Sequence, residues 1–191
     1  FVTYFKPSRT IDPYNADVYD LLYTSNGGIY DIAFRSKLQD IDQILPLISG
    51  RMISFSANSL DNQFYISSGF HALEPWGRWS SDNISRIQFN YSDPDQTPKF
   101  LSINLSGFVH SNHPFLRAEV YLNSNPIGEI EFKTGEQNPR EFRFDISTHQ
   151  LDTANLNTLE FRIENPTSPQ AVGLSNDPRA IGLGFRSMTL E

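Results

Sequence analysis

The chain has 191 residues, with 22 Asp and Glu against 15 Lys and Arg, a formal net charge of −7 and no cysteine. The acidic balance repels phosphate backbones and leaves no basic run, which excludes nucleic acid and anionic lipid surfaces as expected partners. The lack of cysteine excludes disulfides, thiolate metal sites and thiol nucleophiles.

Hydrophobic residues make up 38% and aromatic ones 13%, with 15 Phe, so the predicted core is built from rings more than from Leu and Ala. A compact chain of this length buries roughly 70% of its unfolded surface and needs no staples. No apolar run approaches the ~20 residues of a membrane-spanning helix. The chain begins at Phe1 rather than Met, as in a processed chain or an excised piece, so any targeting signal is expected outside it.

Residues 1–50 read as a lead-in or small subdomain of mixed structure, and 51–191 as a separate domain. Tyr4, Tyr14, Tyr19, Tyr23 and Tyr30 crowd the first part, with turn signals at Asp12-Pro13 and Asn26-Gly27-Gly28. In SKLQDIDQILPLISG, Leu38, Ile41, Ile44 and Leu45 fall at helical spacing, and Pro46 stops the predicted helix.

From residue 51 the period becomes two. The inward positions read Ile53 and Phe55, Phe64 and Ile66, then Ile87, Phe89 and Tyr91, then Leu101, Ile103 and Leu105. They continue as Ala118, Val120 and Leu122, Ile130 and Phe132, Phe142, Phe144 and Ile146, Leu159, Phe161 and Ile163, and finally Ile181, Leu183 and Phe185. Alternation with one buried face marks antiparallel strands. Turn chemistry at SDPDQTP, SNHP, NSNPIG, TGEQNP and NPTSP separates them. Eight or nine such strands predict an all-β antiparallel β-sandwich, a jelly roll of the carbohydrate-binding-module kind.

Motifs for nucleophilic, phosphate-binding or zinc chemistry do not occur. His110 and His113 sit three apart in a predicted loop, where polar loop histidines are the plainer reading than metal ligands. No cofactor is expected. A structural Ca2+ at Asp93 and Asp95 stands as an alternative to a bare Asp-Pro-Asp turn. Two carboxylates from any two strands would satisfy the roughly 5–9 Å spacing of a glycosidase pair, but only Glu74 has a suggestive neighbourhood.

That neighbourhood is GFHALEPWGRWS, residues 69–80, which holds both tryptophans. Two readings compete. In one, Trp76 stacks on pyranose C–H faces while Glu74, Arg78 and His71 hydrogen-bond to hydroxyls. In the other, the stretch is architectural: Gly69 and Gly77 take backbone shapes that a Cβ forbids, Pro75 stiffens the turn, and Trp79 packs inward. Exposure is the favoured reading for Trp76 and packing for Trp79. A second cluster, NPTSPQAVGLSNDPRAIGLGF, carries Asp177 and Arg179, whose plainer reading is a surface turn with a local ion pair worth under about 1 kcal/mol. If its loop meets the first, Arg179 pairs with Glu74 and Asp177 with Arg78. The candidate ligand-binding residues are therefore Trp76, Glu74, Arg78, His71, Trp79, Asp177 and Arg179.

The two clusters together carry a family resemblance. The pattern G-F-x-x-x-E-x-W-G-R-W-S is followed by S-P-x-x-x-G-x-S-x-D-x-R-x-x-G-x-G-x-x-x-M, here Ser168 to Met188. Over roughly residues 50–191 this resembles the C-terminal, non-catalytic domain of bacterial phosphoglycerol transferases of the osmoregulated periplasmic glucan pathway and of related membrane glycosyltransferases. His71 stands where that family often has Ser. The resemblance implies an accessory domain without transferase activity, on the periplasmic or cell-surface side of a bacterium, that binds a glycan or oligosaccharide beside a linked or partner transferase. A structural or protein-interaction β-sandwich, and a glycan hydrolase or lyase on a jelly roll, remain as alternatives.

Overall fold

A computed structural model describes residues 20–23, 30–33, 44–93 and 96–191. The chain divides into two units, 1–43 and 44–191. In the first, strands β1 (Asp20–Tyr23) and β2 (Tyr30–Ala33) pair antiparallel, with Tyr23 opposite Tyr30. Tyr4, Tyr14, Tyr19, both turn signals and the predicted helix up to Gln43 lie outside the described residues. Beyond them no helix continues through Ile44 and Leu45. Ile44 and Leu47 are buried, and Leu47 forms a parallel bridge with Tyr91 and joins the core of the second unit.

The second unit is an antiparallel β-sandwich. One sheet has the order β10 (Arg140–Asp145), β7 (Phe100–Gly107), β12 (Leu183–Leu190), β3 (Met52–Ser54), with β5 (Arg78–Trp79) also pairing with β12. The other runs β4 (Ile66–Ser68), β6 (Ile84–Phe89), β11 (Asn157–Ile163), β8 (Phe115–Leu122), β9 (Asn125–Lys133). From β6 onward every connection crosses to the opposite sheet except the β8–β9 hairpin. That alternation is the jelly roll the period-two pattern predicts. The hairpin turns on Asn123 and Ser124 at φ 49° and 69°, the left-handed pair that a two-residue turn between twisted strands requires.

The inward positions from β6 to β12 are buried as the alternation predicts, apart from Phe142, which packs half-buried against the core. Phe55, Phe89, Phe132, Phe161 and Phe185 are fully buried, but Ile and Leu residues fill the layers between them. Phe185 receives edge-to-face contacts from Phe161 and Phe70 at 4.8 Å and from Phe55 at 6.0 Å, each worth about 0.5–1.5 kcal/mol beyond area burial.

The alternation fails at two places. Residues 61–64 form a single 3-10 turn rather than strand, so Phe64 and Tyr65 are buried and Ile66 is only half-buried. In β12 the register slips between Phe185 and Ser187. Arg186 is the extra residue of a β-bulge, and after it Met188 and Leu190 take over the inward positions. Asp95 lies outside the described residues, and Asp93 accepts the Ser49 backbone N–H at 3.2 Å. Among the described residues no group of three or more His, Asp or Glu is placed to hold a metal, and no helix is long and apolar enough to cross a membrane.

Candidate functional site

Residues 70–80 form a small β-hairpin. Phe70 bridges Ser80, the His71 N–H donates to the Trp79 carbonyl at 2.9 Å, and Glu74 bridges Gly77 across the Pro75-Trp76 tip. One arm, β5, pairs with β12 so that Trp79 stands opposite Gly184 and Arg78 opposite Phe185. This register decides where each side chain points. Phe185 is core, so Arg78 points inward, while Gly184 and Trp79 share the outer face.

Trp76 lies over the same outer face. A Cβ on Gly184 would come within 2.9 Å of both the Trp76 and Trp79 rings, so only glycine lets the two indoles approach the strand this closely. The indoles meet edge-to-face at 5.2 Å. Trp79 packs on with Phe108, Val172 and Ile181 as a second small core, and Phe108 in turn stacks on His113 at 6.4 Å. Burial lowers the pKa of His113. The His110–His113 pair closes a tight turn through reciprocal backbone hydrogen bonds, and Asn112 Nδ2 ties that turn to the Val172 carbonyl at 3.0 Å.

The hairpin tip is held from below and from the side. Ser56 Oγ donates to the Pro75 carbonyl at 2.6 Å, and the Ala57 N–H donates to the Glu74 carbonyl at 2.9 Å. The Trp76 Nε1–H donates to Glu74 Oε2 at 2.9 Å, while Glu74 Oε1 accepts from Arg179 Nη1 at 3.1 Å. Arg179 is braced by Asp177, whose carboxylate accepts its Nε–H, its Nη2–H at 2.8 Å and its backbone N–H at 3.0 Å. These bonds pull Asp177 down to about 2 and raise Arg179 above its ordinary value. His71 Nε2 donates to the Ala180 carbonyl at 2.8 Å. Ser80 is fully buried, and its Oγ accepts the Gly182 and Leu183 N–H groups at 3.1 and 3.0 Å. The two loops predicted to meet do meet, and the Glu74–Arg179 pair forms.

The predicted Asp177–Arg78 pair does not. Arg78 turns between the sheets, donates to Ser67 Oγ at 2.6 Å and to the His71 carbonyl at 2.9 Å, and stacks over Phe70 at 4.6 Å. Burial lowers its pKa and the neighbouring Tyr65 phenol opposes that shift. Its guanidinium is therefore separated by the strand from the outer face that carries Trp76.

Residue-type reasoning missed Arg186. The bulge aims it outward, with its guanidinium 4.9 Å from the Trp76 ring centroid and its Nε–H on Ser106 Oγ at 3.1 Å. Among the described residues no carboxylate pairs with it. Further along the outer face of β7, Asn104 Oδ1 and Ser102 Oγ are buried without a hydrogen-bond partner. The available signal was the consecutive polar pair Arg186-Ser187 between apolar Phe185 and Met188, which breaks the alternation. The half-buried Trp76 indole and the Arg186 guanidinium make one surface of mixed apolar and polar character.

Residues 42–191 match the model of a family described as a domain of unknown function, DUF7024. The chain belongs to the DUF7024 family. No curated protein matches it. Among solved structures the DUF7024 chain is similar to an acetyl xylan esterase from the rumen bacterium Butyrivibrio proteoclasticus, at 14% identity and a TM-score of 0.44, covering 74% of this chain and 32% of that one. It is similar to the carbohydrate-binding module CBM36 in complex with calcium and xylotriose, at 9% identity and a TM-score of 0.38, covering 74% and 99%. It is also similar to the Podospora anserina GH26-CBM35 beta-(1,4)-mannanase, at 15% identity and a TM-score of 0.37, covering 73% and 27%. The chain thus spans about a third of the esterase and about a quarter of the mannanase.

Proposed function

We propose that this DUF7024 domain is a non-catalytic glycan-binding domain that serves a linked or partner transferase of a bacterial cell envelope, on its periplasmic or outer side. The observation that carries the reading is the Trp76 indole at the hairpin tip, half-exposed on the outer sheet face beside an Arg186 guanidinium with no carboxylate partner among the described residues. A pyranose ring presents C–H groups to the indole. The guanidinium, anchored on Ser106, donates to its hydroxyls. One stacked ring and a few solvent-competed hydrogen bonds give micromolar to millimolar affinity. The family resemblance of the 69–80 and 168–188 patterns supports the transferase association and the envelope location. Glu74 has both oxygens engaged, one by Arg179 and one by the indole N–H, which favours a positioning role over acid–base chemistry. The test is titration of the 15N-labelled chain with cell-envelope glycans, following the Trp76 indole resonance, with Trp76→Ala as control. Absence of binding, or binding unchanged by Trp76→Ala, overturns the reading.

A second reading is a structural or interaction domain. It is favoured by the packing of Trp79 into its own small core and by the Arg186 guanidinium already lying over Trp76. Acrylamide quenching separates the two: an indole emission resistant to quencher in both Trp76→Phe and Trp79→Phe supports the structural reading.

A further inference from the structure

The outer face of the opposite sheet carries an open groove of about 840 Å3. Its floor is the outward set of two paired strands: Gln88 opposite Thr158, and Arg86 opposite Glu160. Its walls are the Asn123-Ser124 turn and the 150–156 loop. A fully buried side chain, Asn157, locks both walls in place. Its Oδ1 accepts from Asn123 Nδ2 and from the Asp152 N–H at 2.8 Å each, and its Nδ2 donates to the Asp152 carbonyl at 2.8 Å. Asn123 Oδ1 then accepts the Thr158 N–H at 2.8 Å. A fully buried amide whose oxygen accepts twice and whose nitrogen donates across the two segments makes a preformed wall rather than a mobile one. The volume falls in the ~300–1,000 Å3 range of small-ligand sites.

The lining selects the ligand. Arg86 holds Glu160 at 2.6 Å, and with Asp152 the lining sets two carboxylates against one guanidinium, so its net negative charge disfavours a phosphate or carboxylate ligand. The Asp152 carboxylate is occupied by the Ala154 and Asn155 N–H groups at 2.8 Å each. No aromatic ring lines the space. What remains are amides and hydroxyls above Leu151 and Leu156. The floor is a sheet face whose backbone groups already bond within the ladder, so an added peptide strand finds no edge there.

We propose that this groove is a second ligand site, which takes an uncharged, hydroxyl-rich oligosaccharide segment held by hydrogen bonds to side-chain amides and hydroxyls and not by ring stacking. It shares with the Trp76 reading only the class of ligand. The two sites lie on opposite faces of the sandwich, so either stands or falls alone. Two occupied faces make the domain bivalent, able to bridge two glycan strands.

The experiment titrates the 15N-labelled full chain with neutral linear hexasaccharides of β-1,4-glucan, β-1,4-xylan and α-1,4-glucan. The expected result, with at least one of them, is saturable shifts of the Gln88 and Gln150 side-chain amides and of backbone signals at 150–156. These shifts persist in Trp76→Ala and weaken at least tenfold in the double variant Gln88→Ala, Thr153→Arg. Gln150→Ala, an exposed single change, gives the same reading if the double variant loses its fold. No groove shifts at millimolar ligand, shifts that survive the groove substitutions, or a stronger response to an acidic uronate oligosaccharide overturn the proposal. Loss of the Trp76 indole response with the groove shifts intact overturns only the first site.

Discussion

The Arg179 guanidinium stands 3.1 Å from the Glu74 carboxylate, although 105 residues separate the two in sequence. Because Glu74 also accepts the Trp76 indole N–H, the ion pair and the indole orientation are coupled through one carboxylate. With side chains 40% and 28% exposed, the pair contributes at most about 1 kcal/mol to stability. Arg179→Ala is therefore expected to leave the fold intact and to move the Trp76 indole resonance in a 1H–15N spectrum. An unmoved indole signal in a folded variant would show that the carboxylate is held by something other than Arg179.

Asp177 gives the same loop a pH dependence. The Arg179 bonds hold its carboxyl at about 2 in the folded chain, below the ordinary 3.8. A depressed folded value stabilises the native state above the unfolded value, and that contribution is lost as pH falls from about 4 toward 2. Asp177→Asn removes it. In urea titrations from pH 5 to pH 2, the wild type should lose more of its midpoint than Asp177→Asn does, and the excess should fall within that window. Parallel profiles of the two proteins would refute the assignment.

Ser80 is the pivot between the hairpin and β12. Its buried Oγ accepts two backbone N–H groups, from Gly182 and Leu183. Ser80→Ala leaves both donors without that acceptor in a place closed to water, which costs about 1–3 kcal/mol. The decrease is measurable as a lower denaturant midpoint at unchanged m-value. Ser111→Ala, on an exposed turn, serves as the neutral comparison.

The sandwich was legible because its strands have one wet and one dry face, and a period of two survives without knowledge of any partner. Ile87, Phe89, Leu159 and Phe161 needed nothing more than alternation. Arg78 was not legible, since its direction depends on pairing opposite Phe185, a long-range fact that no local pattern encodes. Met188 and Leu190 were lost for a related reason: a single bulged residue inverts the phase of the strand after it. The groove floor of Arg86, Gln88, Thr158 and Glu160 reads in sequence only as the polar half of two amphipathic strands. Such residues are ordinary on any solvated face, and it takes the walls from 123–124 and 150–156 to turn them into an enclosure. The meeting of Glu74 with Arg179 was legible only through the jelly-roll order, which brings the loop before the last strand to the early hairpin.

Gly77 tests whether the hairpin must lie on β12 for the Trp76 surface to exist. It adopts φ +152°, and a Cβ there would meet the Phe185 carbonyl oxygen at 2.1 Å, a backbone atom inside the central ladder that cannot move aside. Gly135 also has a positive φ, +90°, but nothing lies within 4 Å of its would-be Cβ. Alanine at either position carries backbone strain of about 1–3 kcal/mol. Only Gly77→Ala adds the collision, so β5 has to lift from β12 and uncover Phe185, the ring on which Phe55, Phe70 and Phe161 converge. Gly77→Ala is expected to lower the unfolding midpoint well beyond Gly135→Ala and to abolish the near-ultraviolet circular dichroism of the paired indoles, which Gly135→Ala should preserve. Equal midpoints for the two variants would mean that the hairpin packs against β12 without being held to it.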